Sequence, residues 1–277
     1  MKFGLSFILV LACFLVAGQH ETGSLFIIGG GKRPVEMVQF MMDKAQITEN
    51  DPITILPWAS EEPDSSSFYA KKQFSELGHQ HFLDLQPNAL ASLSKSDIKK
   101  FLKSKLIYIP GGVQGRFMEI AVKFNFDSLI KVAFNRGAMI AGTSAGAAIM
   151  SDKMITGTAL KYDEYHPTFR TLEKDNIEVE QGLGLLHEDI IVDQHFIWRS
   201  RYNRLLTAII EFPNLTGWGI EESTAAYVKN GMVEVVGKYQ LIVFKNTNKE
   251  QAVKNGLLGA KDLSIDILLP GDSFSIH

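Results

Sequence analysis

"MIAGTSAGAAIM", residues 139 to 150, is the stretch on which the reading of this chain turns. An apolar run reads as a buried strand and stops at Gly142. A run of small residues, Ala145 to Ala148, then reads as the start of a helix. Ser144 stands between them in a Gly-x-Ser-x-Gly pattern. Where a strand turns sharply into a helix, small neighbours let the backbone segments approach closely, and the turn holds a serine hydroxyl clear of the sheet. Backbone N–H groups opening the helix point to where an oxyanion would develop. The same letters also suit an ordinary turn residue or helix cap, so on these residues alone both readings stand.

Outward from this turn the chain alternates. "SLFIIGG" (24–30), "ITILPW" (53–58), "HFLDL" (81–85) and "LIYIPGG" (106–112) read as strands. "PVEMVQFMMDKA" (34–45), the segment from Ser66 to Leu77 and "SKSDIKKFLKS" (94–104) read as helices. In the first of these, Val35, Val38, Met41, Met42 and Ala45 recur at helical spacing behind a proline suited to a first turn. Strands separated by helices imply right-handed crossovers and an α/β fold, a mostly parallel sheet with helices on both faces. "DIIVDQHF" (189–196) predicts another strand leading into the helix "RSRYNRLLTAIIEF" (199–212). "GWGI", "TAAYVKN", "MVEVVG" and "YQLIVFK" then predict an antiparallel C-terminal extension. The polar, weakly periodic stretch 159–181 reads as a long loop beside the site.

Composition narrows the chemistry. Apolar residues make up 45% and charged residues 21%, and the formal charge is −3, so nucleic acid is not an expected partner. The N-terminus, "MKFGLSFILVLACFLVAGQH", sets a lysine before an uncharged apolar run from Phe3 to Ala17. That run is short for a membrane span and fits a secretory signal of residues 1–18, cut after Gly18, ahead of a single α/β domain over 19–277. An N-terminal anchor and lipid attachment at Cys13 are the alternatives, the latter disfavoured by the apolar Phe14-Leu15-Val16 that follows. The expectation is a secreted or periplasmic protein with no stable membrane span in its mature form. Cys13 is the only cysteine, so the processed chain has no disulfide, thiol nucleophile or thiolate-held metal. No His and carboxylate spacing suggests a metal, and no cofactor is expected.

Seryl chemistry needs a base. His195 sits at the end of a predicted strand, where open α/β sheets meet their ligands, although a satisfied, partly buried histidine reads the same way. Asp163 and Glu164, in the polar loop between Ser144 and His195, are the candidates to orient the base, or else are solvated loop acids. "IPGGVQGR" (109–116) offers loop N–H groups and the Gln114 amide. "WRSRYNR" (198–204) puts Arg201 and Arg204 on one helical face with Arg199 nearby, which suits a carboxylate ligand or simply ion pairs and a solvated face. Glu221 and Glu222, in "GIEESTAA" (219–226), could meet those arginines or a substrate cation.

In this order, "GGGKR", "IPGGVQ", "GTSAGAAIMS", "DQHFIWRSRYNRLL" and "GIEESTA" resemble cyanophycinases and related serine peptidases, including aspartyl dipeptidase, from about Gly29 to Ala226. The resemblance implies a flavodoxin-like, class I glutamine amidotransferase-like sheet with serine in place of cysteine. It implies that Ser144 attacks the peptide carbonyl and that His195 serves as base and then acid. The N–H of Ala145 and the loop at Gly111 and Gly112 would form the oxyanion hole. Gln114, Gln194, Arg199, Arg201, Arg204 and Glu222 match cleft-lining positions, with the arginines for substrate carboxylates and the glutamate for a guanidinium. The implied substrate is an aspartyl or β-aspartyl (Asp-Arg) peptide or a cyanophycin-like polymer, and family members are often homodimers. An esterase of the α/β-hydrolase type is the other enzymatic reading. The absence of an "HGGG" segment and the short interval of 51 residues from Ser144 to His195 count against it. A non-catalytic exported binder of acidic peptides is the third.

Overall fold

The computed structural model describes residues 23–162, 164 and 166–276. The expected signal segment, Cys13 and Asp163 lie outside the described residues. In chain order the elements are β1 (Ser24–Ile28), α1 (Val35–Lys44), β2 (Ile53–Ile55), α2 (Pro63–Ser75), β3 (Phe82–Asp84), α3 (Lys95–Phe101) and β4 (Leu106–Ile109). There follow α4 (Gln114–Lys123), α5 (Phe126–Asn135), β5 (Met139–Thr143), α6 (Ala145–Ala148), β6 (Lys153–Ala159), β7 (Ile177–Gln181), β8 (Ile190–Gln194) and α7 (Tyr202–Glu211). The last part carries β9 (Thr216–Ile220), β10 (Thr224–Lys229), β11 (Met232–Gly237), β12 (Leu241–Asn246), β13 (Ala252–Lys254), β14 (Leu257–Gly259), β15 (Leu263–Leu268) and β16 (Ser273–Ser275).

The large sheet runs β16-β11-β10-β1-β5-β4-β2-β3. From β1 to β3 every pairing is parallel, and β10, β11 and β16 extend it antiparallel on the other side of β1. Its central strands are apolar on both faces because both are covered, as parallel strands require. In β1, Phe26 and Ile28 face α1 and α2 through Met37, Met41 and Phe74. Leu25 and Ile27 face the opposite core with Trp58, Phe117 and Phe126. The α/β architecture with a mostly parallel sheet agrees with the strand and helix alternation of the sequence.

Three features differ from the sequence expectation. First, the C-terminal strands do not form one extension. β9 and β12 belong to a second sheet, β15-β12-β9-β8, in which β8 and β9 are parallel, while β10 and β11 join the large sheet. One face of this second sheet (Val192, Trp218, Ile220, Val243) shares a core with the large sheet. The other (Ile191, Ile242, Phe244) packs on Leu205, Ala208 and Ile209 of α7. Second, 159–181 is not a plain loop, since β6 and β7 pair antiparallel at its two ends. Third, residues 114–135 form α4 and α5, split where Asn125 takes a left-handed φ of 58°. Their signal was present in the spacing of Phe117, Met118 and Ala121 and of Phe126, Ile130 and Ala133. Among the described residues no helix is long and apolar enough to cross a membrane.

The two sheets meet at the end of β1. Ile28 O accepts from Ser144 N (3.1 Å), and Gly29 O accepts from His195 N (2.7 Å). One strand end therefore fixes both turns, one from each sheet.

Candidate active site

Ser144 has φ 54° and ψ −114°, a conformation a side-chain-bearing residue adopts only when its surroundings impose it. The surroundings are backbone. A Cβ on Gly142 would lie 2.1 Å from Gly146 O, and one on Gly146 would lie 2.2 Å from Ile109 O. The glycines are needed because β5, α6 and the end of β4 touch at the main chain. The helix after Ser144 is only four residues long, so local N–H groups, not a long helix axis, provide the polar environment. Ala145 N–H and Gly112 N–H make no backbone hydrogen bond among the described residues. Gly111 lies over the serine, where an added Cβ would come 3.6 Å from Oγ.

His195 Nε2 lies 2.9 Å from Ser144 Oγ, and its Nδ1 lies 2.5 Å from Glu222 Oε1. The ring is 8% exposed and fits against Gly30, where a Cβ would fall 2.3 Å from Cε1. Burial pushes the imidazole below its ordinary value; the Glu222 hydrogen bond opposes this, and the Arg199 and Arg201 cations add to it. The neighbouring Glu221 holds the loop itself, its Oε2 accepting from Ile197 N–H (2.5 Å) and Trp198 N–H (3.0 Å).

These contacts correct the sequence assignments. Glu222, read from the sequence as a partner for a substrate guanidinium, accepts from the base through Oε1. Glu164 does not reach His195: its carboxylate is 3.8 Å from His166 and largely in solvent. The reason is topological. The chain passes from β9 in one sheet to β10 in the other through Glu221-Glu222-Ser223, so these glutamates land beside the histidine turn. A strand end followed by two acids was the legible signal, but the change of sheet was not.

A cleft of about 330 Å³ opens at Ser144, lined among others by Gln114, Thr156, Tyr162, Gln194, Arg199 and Arg201. Glu164 stands at its edge. The Gln114 amide nitrogen donates to Ile155 O and Thr156 O, both at 2.7 Å, and so fixes β6 as one wall. The arginines are not an open cluster. Arg204 makes a two-pronged contact with Asp193, through Nε at 2.8 Å and through Nη2, with both residues almost fully buried. Arg201 donates to Gln194 O (2.6 Å) and Gln194 Oε1 and approaches Asp193. These two arginines satisfy a buried carboxylate and position the strand end that carries His195; an unpaired Asp193 there would be costly. The Arg199 side chain alone of the three makes no hydrogen bond or ion pair among the described residues.

A serine, a histidine and a carboxylate in one hydrogen-bonded line, the serine on a strained strand-to-helix turn, are the equipment of a serine hydrolase. The sequence pattern of Peptidase family S51 matches residues 25–236, and the chain belongs to that family of serine-type peptidases. It is 29% identical over 270 residues to a cyanophycinase from Nostoc sp., the match covering 94% of this chain and 87% of that one. A cyanophycinase from Geminocystis herdmanii is 29% identical over 268 residues, covering 93% and 95%. The crystal structure of a peptidase from an acI-B1 Actinobacterium superposes with a TM-score of 0.63 at 19% identity, over 93% of this chain and 98% of that one. A putative peptidase E protein from Listeria monocytogenes gives 0.55 at 20% identity, over 78% and 99%. Both structural likenesses speak to the fold.

Proposed function

We propose that this is an exported serine peptidase that hydrolyses aspartyl or β-aspartyl (Asp-Arg) peptide bonds, with Ser144 as nucleophile, His195 as base and Glu222 as the acid that orients it. The observation that carries the reading is the unbroken line from Glu222 through His195 to Ser144. Ser144 Oγ attacks the carbonyl carbon and its proton passes to His195 Nε2. Glu222 keeps Nδ1–H directed and stabilises the imidazolium. The oxyanion takes hydrogen bonds from Ala145 N–H and Gly112 N–H, beneath Gly111. Collapse breaks the C–N bond, and the amine leaves with the proton held on Nε2. Water then repeats the sequence against the acyl-serine and restores the hydroxyl. Burial lowers the His195 pKa, which favours the neutral ring that accepts the serine proton.

Arg199 supports the aspartyl preference as a cleft cation whose side chain has no partner among the described residues, placed to receive a substrate carboxylate. The relatives named cyanophycinase support the same substrate class. Export rests on the N-terminal lysine and apolar run, and the N-terminal residue of the protein recovered from cells tests it, with Gln19 expected. The central test is hydrolysis of cyanophycin and of α- and β-linked Asp-Arg and Asp-Leu peptides by wild type and Ser144→Ala. The expected outcome is cleavage by the wild type and a loss of about 10⁴-fold or more in the variant. Turnover that survives Ser144→Ala would remove Ser144 as nucleophile.

A further inference from the structure

A second hollow of about 930 Å³ is lined by Glu222, the partner of His195 Nδ1, and by Lys32, Val35, Trp198, Lys238 and Tyr239 among others. Its walls follow the ends of β1, β8 and β9 and the link from β11 to β12, the edge where open α/β sheets receive ligands. The His195 imidazole links a lining residue of each hollow: its Nε2 meets Ser144 of the cleft and its Nδ1 meets Glu222 of the groove.

The groove has a defined character. Trp198 is 76% exposed and Tyr239 42%. Its two acids are engaged, Glu222 by His195 and Glu221 by the Ile197 and Trp198 N–H groups. Arg33 is engaged as well, through Gln73 and Gly31 O. Lys32 and Lys238 are exposed and make no ion pair among the described residues, Lys238 lying 5.4 Å from the Tyr239 ring centre. What remains for a ligand is two ammonium groups beside two aromatic faces, a match for carboxylates on an extended chain.

The chemistry supplies the direction. His195 Nε2 must return its proton to the departing amine, so the leaving segment begins beside the imidazole, whose Nδ1 partner Glu222 lines the groove. Two or three extended residues, each advancing about 3.3 Å, span that ring and its two hydrogen bonds. We infer that this groove binds the leaving-group segment of extended acidic peptides, with carboxylates on Lys32 and Lys238 and apolar parts on Trp198 and Tyr239. The inference rests on the peptidase reading above.

Two measurements test it. The first compares kcat/KM for Asp-Leu-Glu-Glu-Glu and Asp-Leu-Lys-Lys-Lys in the wild type and in Lys32→Glu/Lys238→Glu. A wild-type preference of about tenfold for the acidic peptide is expected, falling to parity or reversing in the double variant. The second measures binding of the same peptides to Ser144→Ala by calorimetry, which needs no turnover. Here too the acidic peptide is expected to bind about tenfold tighter, and the added Lys32→Glu/Lys238→Glu changes to abolish the difference. Equal handling of the two peptides by the wild type, or a preference that survives charge reversal, overturns the groove assignment. Acidic-selective binding without any cleavage upholds the groove and counts against the aspartyl peptidase reading instead.

Discussion

Ser144 and His195 are both side-chain-bearing residues in the left-handed region, at φ 54° and 50°, and both hang from the end of β1. The two turns are nevertheless held by different forces. The serine turn is held by volume: Gly142 and Gly146 let three backbone segments touch at main-chain atoms. The histidine turn is held by charge. Glu221 fixes its N–H groups, Glu222 its ring, and Arg201 and Arg204 tie the preceding strand end through Asp193 and Gln194. A methyl group should break the first and leave its electrostatics alone. A neutral isostere should break the second and leave its shape alone.

The largest expected effect comes from that neutral isostere. Glu222→Gln keeps the volume but no longer stabilises the imidazolium, and its amide can hold the wrong tautomer. A drop in kcat of about 10³- to 10⁴-fold follows, with a melting temperature close to that of the wild type. A loss of less than tenfold would show that the histidine is oriented by something other than Glu222. Next in size is Gly142→Ala. Its Cβ would sit 2.1 Å from Gly146 O, and since the backbone fixes the Cβ position and the oxygen belongs to the main chain, neither can rotate away. Destabilisation of about 3 kcal/mol is expected, read as a lowered denaturation midpoint. An unchanged midpoint would mean that the elbow is looser than its geometry requires.

The smallest effect is in pH dependence. His195 must be neutral to accept the serine proton, and burial lowers its pKa below the ordinary 6.5. The acid limb of kcat/KM should therefore fall below pH 6.5. Because Glu222 raises the pKa against burial, residual activity in Glu222→Gln should persist to still lower pH. An acid limb above 6.5, or one displaced upward in the variant, would reverse the assigned balance of burial and charge.

Much of this was open to inspection in the sequence, for specific reasons. Parallel strands buried on both faces must be apolar throughout, so β1, β4 and β5 stand out as "SLFII", "LIYI" and "MIAGT". The serine turn is local, and its whole mechanism fits within five residues. His195 could be placed at a strand end because β8 is continuous up to it. The third member could not be placed in this way. Proximity along the chain pointed to Asp163 and Glu164, whereas the acid that meets His195 lies 27 residues beyond it. For a related reason the spacing of Arg201 and Arg204 announces a common face but not that both pair with Asp193.

What the sequence determined by itself is whatever depends on near neighbours: strand and helix periodicity, the glycine-flanked elbow, and the residue types available for chemistry. Only the tertiary structure decided which strand joins which sheet, and with it which carboxylate reaches the histidine and which arginines pair with Asp193. Hydrophobic alternation records that a strand is buried but carries no label for its partner. Pairing is selected by the packing of distant segments, and the passage from β9 to β10 between two sheets is where that selection assembles the site.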